Sequence, residues 1–175
     1  MEENVMVKIK STRYECAMVP VDPVSSNVDP DNCPREAGNE SPDEPEVLEM
    51  MSSGTLSLDE NRIVLSYAET ELTGMEGSVT EISYPLDAPG LVSMCRTGAV
   101  TTTLVFEEGK RNHCIYQTPF MPFEVCVHTY RVNNRLAEIG VLDLDYSIEI
   151  RGARTERTHL EVRVTPFEGT NASRS

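Results

Sequence analysis

Apolar and polar residues alternate along most of this chain with a period of two, which places every second side chain on one face of a β-strand. Val5, Val7 and Ile9 alternate with Met6, Lys8 and Lys10, and the pattern runs on to about Met18. It resumes over 47–58 and 62–72, two runs separated by the turn-forming residues Asp59-Glu60-Asn61. Further runs cover 76–84, 91–96, 99–106, 111–118, 123–132, 136–150 and 157–165, broken by Gly74, by Pro85 to Gly90 and by Thr97-Gly98. That pattern predicts about ten short strands with turns between them and no convincing helical stripe. Ala68 to Leu72, with Gly74 as a cap, has the one arguable helical spacing, but its β-branched and aromatic company predicts strand.

An antiparallel barrel fits better than a sandwich, because hairpin follows hairpin with short links and closure removes exposed strand edges. The length of 136–150 agrees, since a strand that long bends around a barrel wall. Its even positions Leu142, Leu144, Tyr146, Ile148 and Ile150 form the inner face, and Asp143, Asp145 and Glu149 the outer one. Phe123, Val125, Val127 and Thr129 point inward from the preceding run, and Val92, Met94 and Arg96 from an earlier one. A cation therefore faces the interior. A buried guanidinium needs a partner, and Glu69 and Glu71 share a face with Ile63, Leu65 and Tyr67. The expectation is that Arg96 meets Glu69 inside the barrel or at its mouth, with Tyr67 close by. The alternative is that Arg96 sits at a strand end and reaches water.

Charge changes the picture in one region. The 175 residues carry a net charge of −14, and half of it falls within 20–46, which holds eight acids, one base (Arg35) and six of the eleven prolines. Low hydropathy, high charge and scattered proline predict a disordered acidic insertion there, which could also serve a basic partner. The rest of 1–170 reads as one domain, with 171–175 a disordered tail. An acidic chain is poorly suited to nucleic acid, whose binding rests on Lys and Arg neutralising phosphates, or to an anionic membrane. The opening MEENVMVKIK is no secretory signal, and no apolar run approaches a membrane helix, so a cytoplasmic location is expected.

Five cysteines without a Cys-x-x-Cys pair read as free thiols in a reducing compartment. An even register would set Cys114 opposite Cys126, with His128 two residues on. However, the hairpin 106–110, read as a three-residue loop with Gly109 left-handed, puts Cys114 and Tyr116 inside. Cys126 and His128 then point outward, so no metal site is expected. His113 and His159 read as isolated surface residues. No phosphate loop, nucleophile elbow or zinc-binding helix occurs, so neither a catalytic set nor a cofactor is expected.

Five motifs in order, Tyr67 to Gly77, Arg96-Thr97-Gly98, Phe106 to Lys110, Tyr116-Gln117-Thr118-Pro119 and a later Thr129, resemble the YwiB-like family of small bacterial cytoplasmic proteins. The resemblance covers about 5–19 and 47–166. It implies a calycin-like barrel, similar to lipocalins and fatty-acid-binding proteins, and no particular chemistry. Where that family has glycine soon after Thr-Pro, this chain has Phe120-Met121-Pro122, and its 20–46 segment is longer than the usual first connection.

The expected fold is thus all-β, a single antiparallel calycin-like barrel of about eight to ten strands. The expected function is non-enzymatic binding of a small molecule, anionic or amphipathic, inside the barrel. Tyr67, Glu69, Arg96, Tyr116, Thr118, Thr129 and Tyr146 would be its polar contacts, Arg96 suiting a carboxylate or phosphate. The alternative is a filled barrel that acts as an interaction protein through its outer surface and acidic segment. A homodimer is left open.

Overall fold

The computed structural model describes residues 1–20, 44–150 and 153–167. Most of the acidic 20–46 segment and all of the 171–175 tail lie outside the described residues. Ten strands form one antiparallel sheet: β1 (Glu2–Pro20), β2 (Glu46–Asp59), β3 (Arg62–Ala68), β4 (Val79–Pro85), β5 (Leu91–Thr97), β6 (Thr102–Glu107), β7 (Arg111–Gln117), β8 (Pro122–Arg135), β9 (Val141–Ile150) and β10 (Ala153–Pro166). Their order is β6-β5-β4-β3-β2-β1-β10-β9-β8-β7. Apart from β6 and β7, each strand pairs with its neighbours in sequence, and β1 closes on β10 through a register that sets Val5 against Pro166 and Arg13 against Thr158.

The two outer strands then meet and nearly close a barrel. Thr101 and Gln117 exchange backbone hydrogen bonds of 3.0 and 2.9 Å. Farther along the seam, Asn112 Nδ2 donates to the Val105 carbonyl at 3.1 Å. At the far end the turn after β6 docks on β8, where Gly109 N donates to Thr129 O and Thr129 N to Lys110 O. Gly54 lets β2 pass close between its neighbours, since a Cβ there would stand 2.5 Å from the Ser66 carbonyl oxygen.

Two expected strands are shorter than the period alone implied. The run 62–72 leaves the sheet at Ala68 and turns into a 3-10 helix, Glu71–Thr73, ended by left-handed Gly74. The helical spacing with its glycine cap therefore outweighed β-propensity there. The run 136–150 begins with a helical turn, α1 (Leu136–Ile139), and becomes strand only after left-handed Gly140 (φ 70°). Gly140 is required twice over, because a Cβ would also collide with the Val164 carbonyl oxygen.

The turn α1 closes one end of the barrel. Leu136 is buried in the core, Asn134 Nδ2 donates to the Pro89 carbonyl at 3.0 Å, and the buried Tyr84 side chain meets the Ala137 backbone. Above this plug Val7, Leu65, Ile82, Val92, Phe106, Leu142, Leu144 and Val162 are all fully enclosed. Burial of each such side chain contributes about 1.5–3 kcal/mol, so this end carries most of the hydrophobic stabilisation.

Candidate functional site

The opposite end of the interior is lined by polar side chains. Their positions follow from the same alternation that fills the apolar end. On β1 the inward series Val5, Val7, Ile9 ends in Ser11 and Arg13; on β3 Ile63, Leu65 and Tyr67 are followed by Glu69. Glu69 keeps this parity beyond the end of β3 because its N–H still donates to Ser78 O at 2.9 Å, one rung further along the β3–β4 ladder. Thr80 faces Arg96 across β4 and β5, and Thr129 faces Tyr146 across β8 and β9.

The expected ion pair is present. Arg96 Nη2 lies 3.3 Å from Glu69 Oε1, with the Glu69 side chain 2% exposed and that of Arg96 15%. Thr80 ties the two together: its hydroxyl donates to Glu69 Oε1 at 2.5 Å and accepts from Arg96 Nε at 3.2 Å. Both bonds to Glu69 fall on Oε1, and Oε2 takes none among the described residues. A second cation, Arg13, stands 4.0 Å from Glu156 Oε1, and its buried Nε has no hydrogen-bond partner among the described residues.

Three phenols complete the ring. Burial pushes the Tyr146 hydroxyl up to about 12, and its ring packs on Phe106 at 4.8 Å. Burial, with Glu69 adding, holds the Tyr67 phenol well above its ordinary value, and burial raises Tyr116 against the pull of Arg96. All three are therefore neutral donors at pH 7. The Tyr146 hydroxyl makes no hydrogen bond among the described residues. Ser11, Arg13, Tyr67, Glu69, Arg96 and Tyr146 line a cavity of about 60 Å³.

Of the expected contacts, Tyr67, Glu69, Arg96 and Tyr146 converge on this cavity. Tyr116 joins the same end, stacked on Phe123 at 5.4 Å. Thr129 points inward and is fully buried. Thr118 does not take part. Strand β7 ends at Gln117, and the Thr118 hydroxyl caps the hairpin turn by donating to Met121 O and accepting from Phe120 N and Met121 N. Glu71 likewise leaves in the 3-10 turn. Arg13, Thr80 and Glu156 were missed, although carrying the β1 alternation four residues beyond Ile9 reaches Arg13.

The outer surface holds three further polar groups. The observed register sets His113 opposite Cys126 and Cys114 opposite Val125. Cys126 and His128 do face outward, yet Cys126 is buried, as are Ser147 and Glu149 beside it. Glu149 Oε1 lies 3.4 Å from Arg111 Nε and 3.9 Å from His128 Nδ1. Burial, with Glu149 adding, pushes the Cys126 thiol up to about 11, so it is protonated and unreactive at neutral pH. Neither surface histidine stands alone. His113 Nδ1 is 2.8 Å from Glu124 Oε1, and His159 joins Asp143 and Glu161 with ligand atoms within 4.8 Å of one another. These three could hold a cation, but Glu161 already accepts from Arg163 Nε at 2.7 Å and Asp143 from Asn133 Nδ2 at 3.2 Å.

The profile of the family described as Domain of unknown function (DUF1934) matches residues 36–162. The chain belongs to this DUF1934 family. Among solved structures it is similar to the ywiB protein from Bacillus subtilis, with a TM-score of 0.64 and 18% identity over 94% of this chain and 93% of that one. The YwiB-like resemblance read from the motifs is thereby borne out, and the likeness between the two structures extends to the fold. A comparison with curated proteins returned no match. Among the described residues of this DUF1934 chain, no helix is long and apolar enough to cross a membrane.

Proposed function

We propose that this DUF1934 protein is a non-enzymatic binding module of the cytoplasm whose small ligand seats in the polar end of the barrel. One observation carries the reading. In an interior otherwise closed by packed apolar side chains, one cavity is lined by charged groups and phenols, and the buried Arg13 Nε there has no hydrogen-bond partner among the described residues. Buried polar groups are seldom left unpaired. The cytoplasmic location is supported by Cys95, Cys114 and Cys126, all free thiols.

The cavity limits the ligand. At about 10–15 Å³ for each water-sized site, about 60 Å³ accommodates roughly five non-hydrogen atoms. An amphipathic chain would have to displace the core. The test is mass spectrometry of the small molecules released by heat from the full chain purified without denaturation. Wild type should release a compound below about 150 Da, a mass that follows from the cavity size, and Tyr146→Phe and Arg96→Leu should release much less. Equal fractions from all three proteins would refute the reading.

A second reading, interaction through the outer surface, is favoured by the β7–β8 hairpin, where Phe120 is 95% exposed and Met121 and Ile115 are largely so. A self-association lost in Phe120→Ser, seen by sedimentation velocity, would support it.

A further inference from the structure

We infer that the outer wall of the barrel carries a binding site for one divalent transition-metal ion, formed by His159, Asp143 and Glu161. The site stands apart from the polar end and does not rest on the binding reading above. Strand register assembles it. Asp143 on β9 lies directly opposite Glu161 on β10, and His159 precedes Glu161 by two residues, so all three project from the same face. Their ligand atoms lie within 4.8 Å of one another, and each side chain is partly buried. Two carboxylates placed opposite each other across a sheet repel, and a divalent cation between them turns that repulsion into attraction.

The pairings around the cluster leave it able to bind. Arg163 Nε donates to Glu161 Oε1 and Asn133 Nδ2 to Asp143 Oδ2, so each carboxylate keeps a second oxygen that accepts no hydrogen bond among the described residues. Bonds of this kind hold ligating carboxylates in place. Asp145, which stands opposite His159, is withdrawn by bonds from Arg157 at 3.1 and 2.9 Å. His159 makes no hydrogen bond among the described residues and contributes a ring nitrogen. Around zinc, tetrahedral ligands at roughly 2.1 Å from the ion stand roughly 3.4 Å apart, so the three atoms need to close by about 1.4 Å at most. Side-chain rotation supplies that without moving the strands. One imidazole with two carboxylates suits zinc and its first-row neighbours and disfavours magnesium, which takes oxygen ligands. Arg163 is the competitor, because its charge sits on Glu161 and opposes the ion.

The full chain, labelled with nitrogen-15 in its histidine rings, is titrated with zinc chloride and separately with magnesium chloride at constant ionic strength. Zinc should move the His159 ring signals first, saturating at one equivalent, ahead of those of His113 and His128, and magnesium should leave all three in place. In calorimetry, His159→Ala should abolish the tight phase and Asp143→Asn should weaken it about tenfold or more. Arg163→Ala, which frees Glu161, should tighten it several-fold. The inference fails if zinc leaves the His159 ring unmoved, if magnesium moves it equally, or if Asp143→Asn binds zinc as tightly as the unaltered chain.

Discussion

The two ends of this barrel are built from the same strands and differ in the side chains that terminate each inward series. At one end the series finish in leucine, valine and phenylalanine and are plugged by Leu136 on α1. At the other they finish in Arg13, Glu69, Arg96, Tyr116 and Glu156. The first arrangement stabilises the fold through area removed from water. The second gains little from burial and costs desolvation of four charges, which ion pairing offsets only in part. Such a ring adds little to stability, which suits the binding role proposed for this end.

The largest effect should come from the apolar end. Phe106→Ala removes an enclosed ring and should cost about 3–5 kcal/mol in urea unfolding; a loss below about 1 kcal/mol would mean that this end is not the stabilising one. At the polar end, Glu69→Ala leaves Arg96 without its carboxylate and should cost about 2–3 kcal/mol. The double variant Glu69→Ala with Arg96→Leu should lose less than the sum of the two single variants, because the stranded charge is gone.

Alkaline stability sharpens the comparison further. Tyr146 keeps its proton to about 12 in the folded chain, against an ordinary value of 10. Between those values the folded state binds a proton that the unfolded chain has released, so stability present below pH 10 is lost as pH rises toward 12, by on the order of 2 kcal/mol for this one group. Tyr146→Phe should flatten that decline while leaving stability at pH 7 nearly unchanged. A decline equally steep in the variant would contradict the burial of this phenol. The smallest effect belongs outside both ends: Phe120→Ser should change stability by no more than about 0.5 kcal/mol, and a larger loss would show that the hairpin tip is packed.

Strand parity was legible wherever an alternating series was long, which is why Arg96 could be paired with Glu69 and why Tyr146 was placed inside. Two elements were not legible, for different reasons. Leu136-Ala137-Glu138-Ile139 suits both periods, so nothing local distinguishes a helical turn from the start of a strand, and contact with Tyr84 and Pro89 decides it. Thr118 lies one residue beyond the end of β7, where parity stops carrying information. The burial of Ser147 and Glu149 on the outer wall shows a third limit, since a period of two tells which face a side chain occupies and not what covers that face.

The central claim is that the polar end admits small polar molecules and the apolar end does not. Magnetisation transfer from water to side-chain methyls tests it directly. The Met50 and Met94 methyls, which line the polar cavity, should receive it, and the enclosed methyls of Leu142 and Leu144 should not. Equal silence at all four sites would mean that the barrel is filled and dry from end to end, and the account would be wrong.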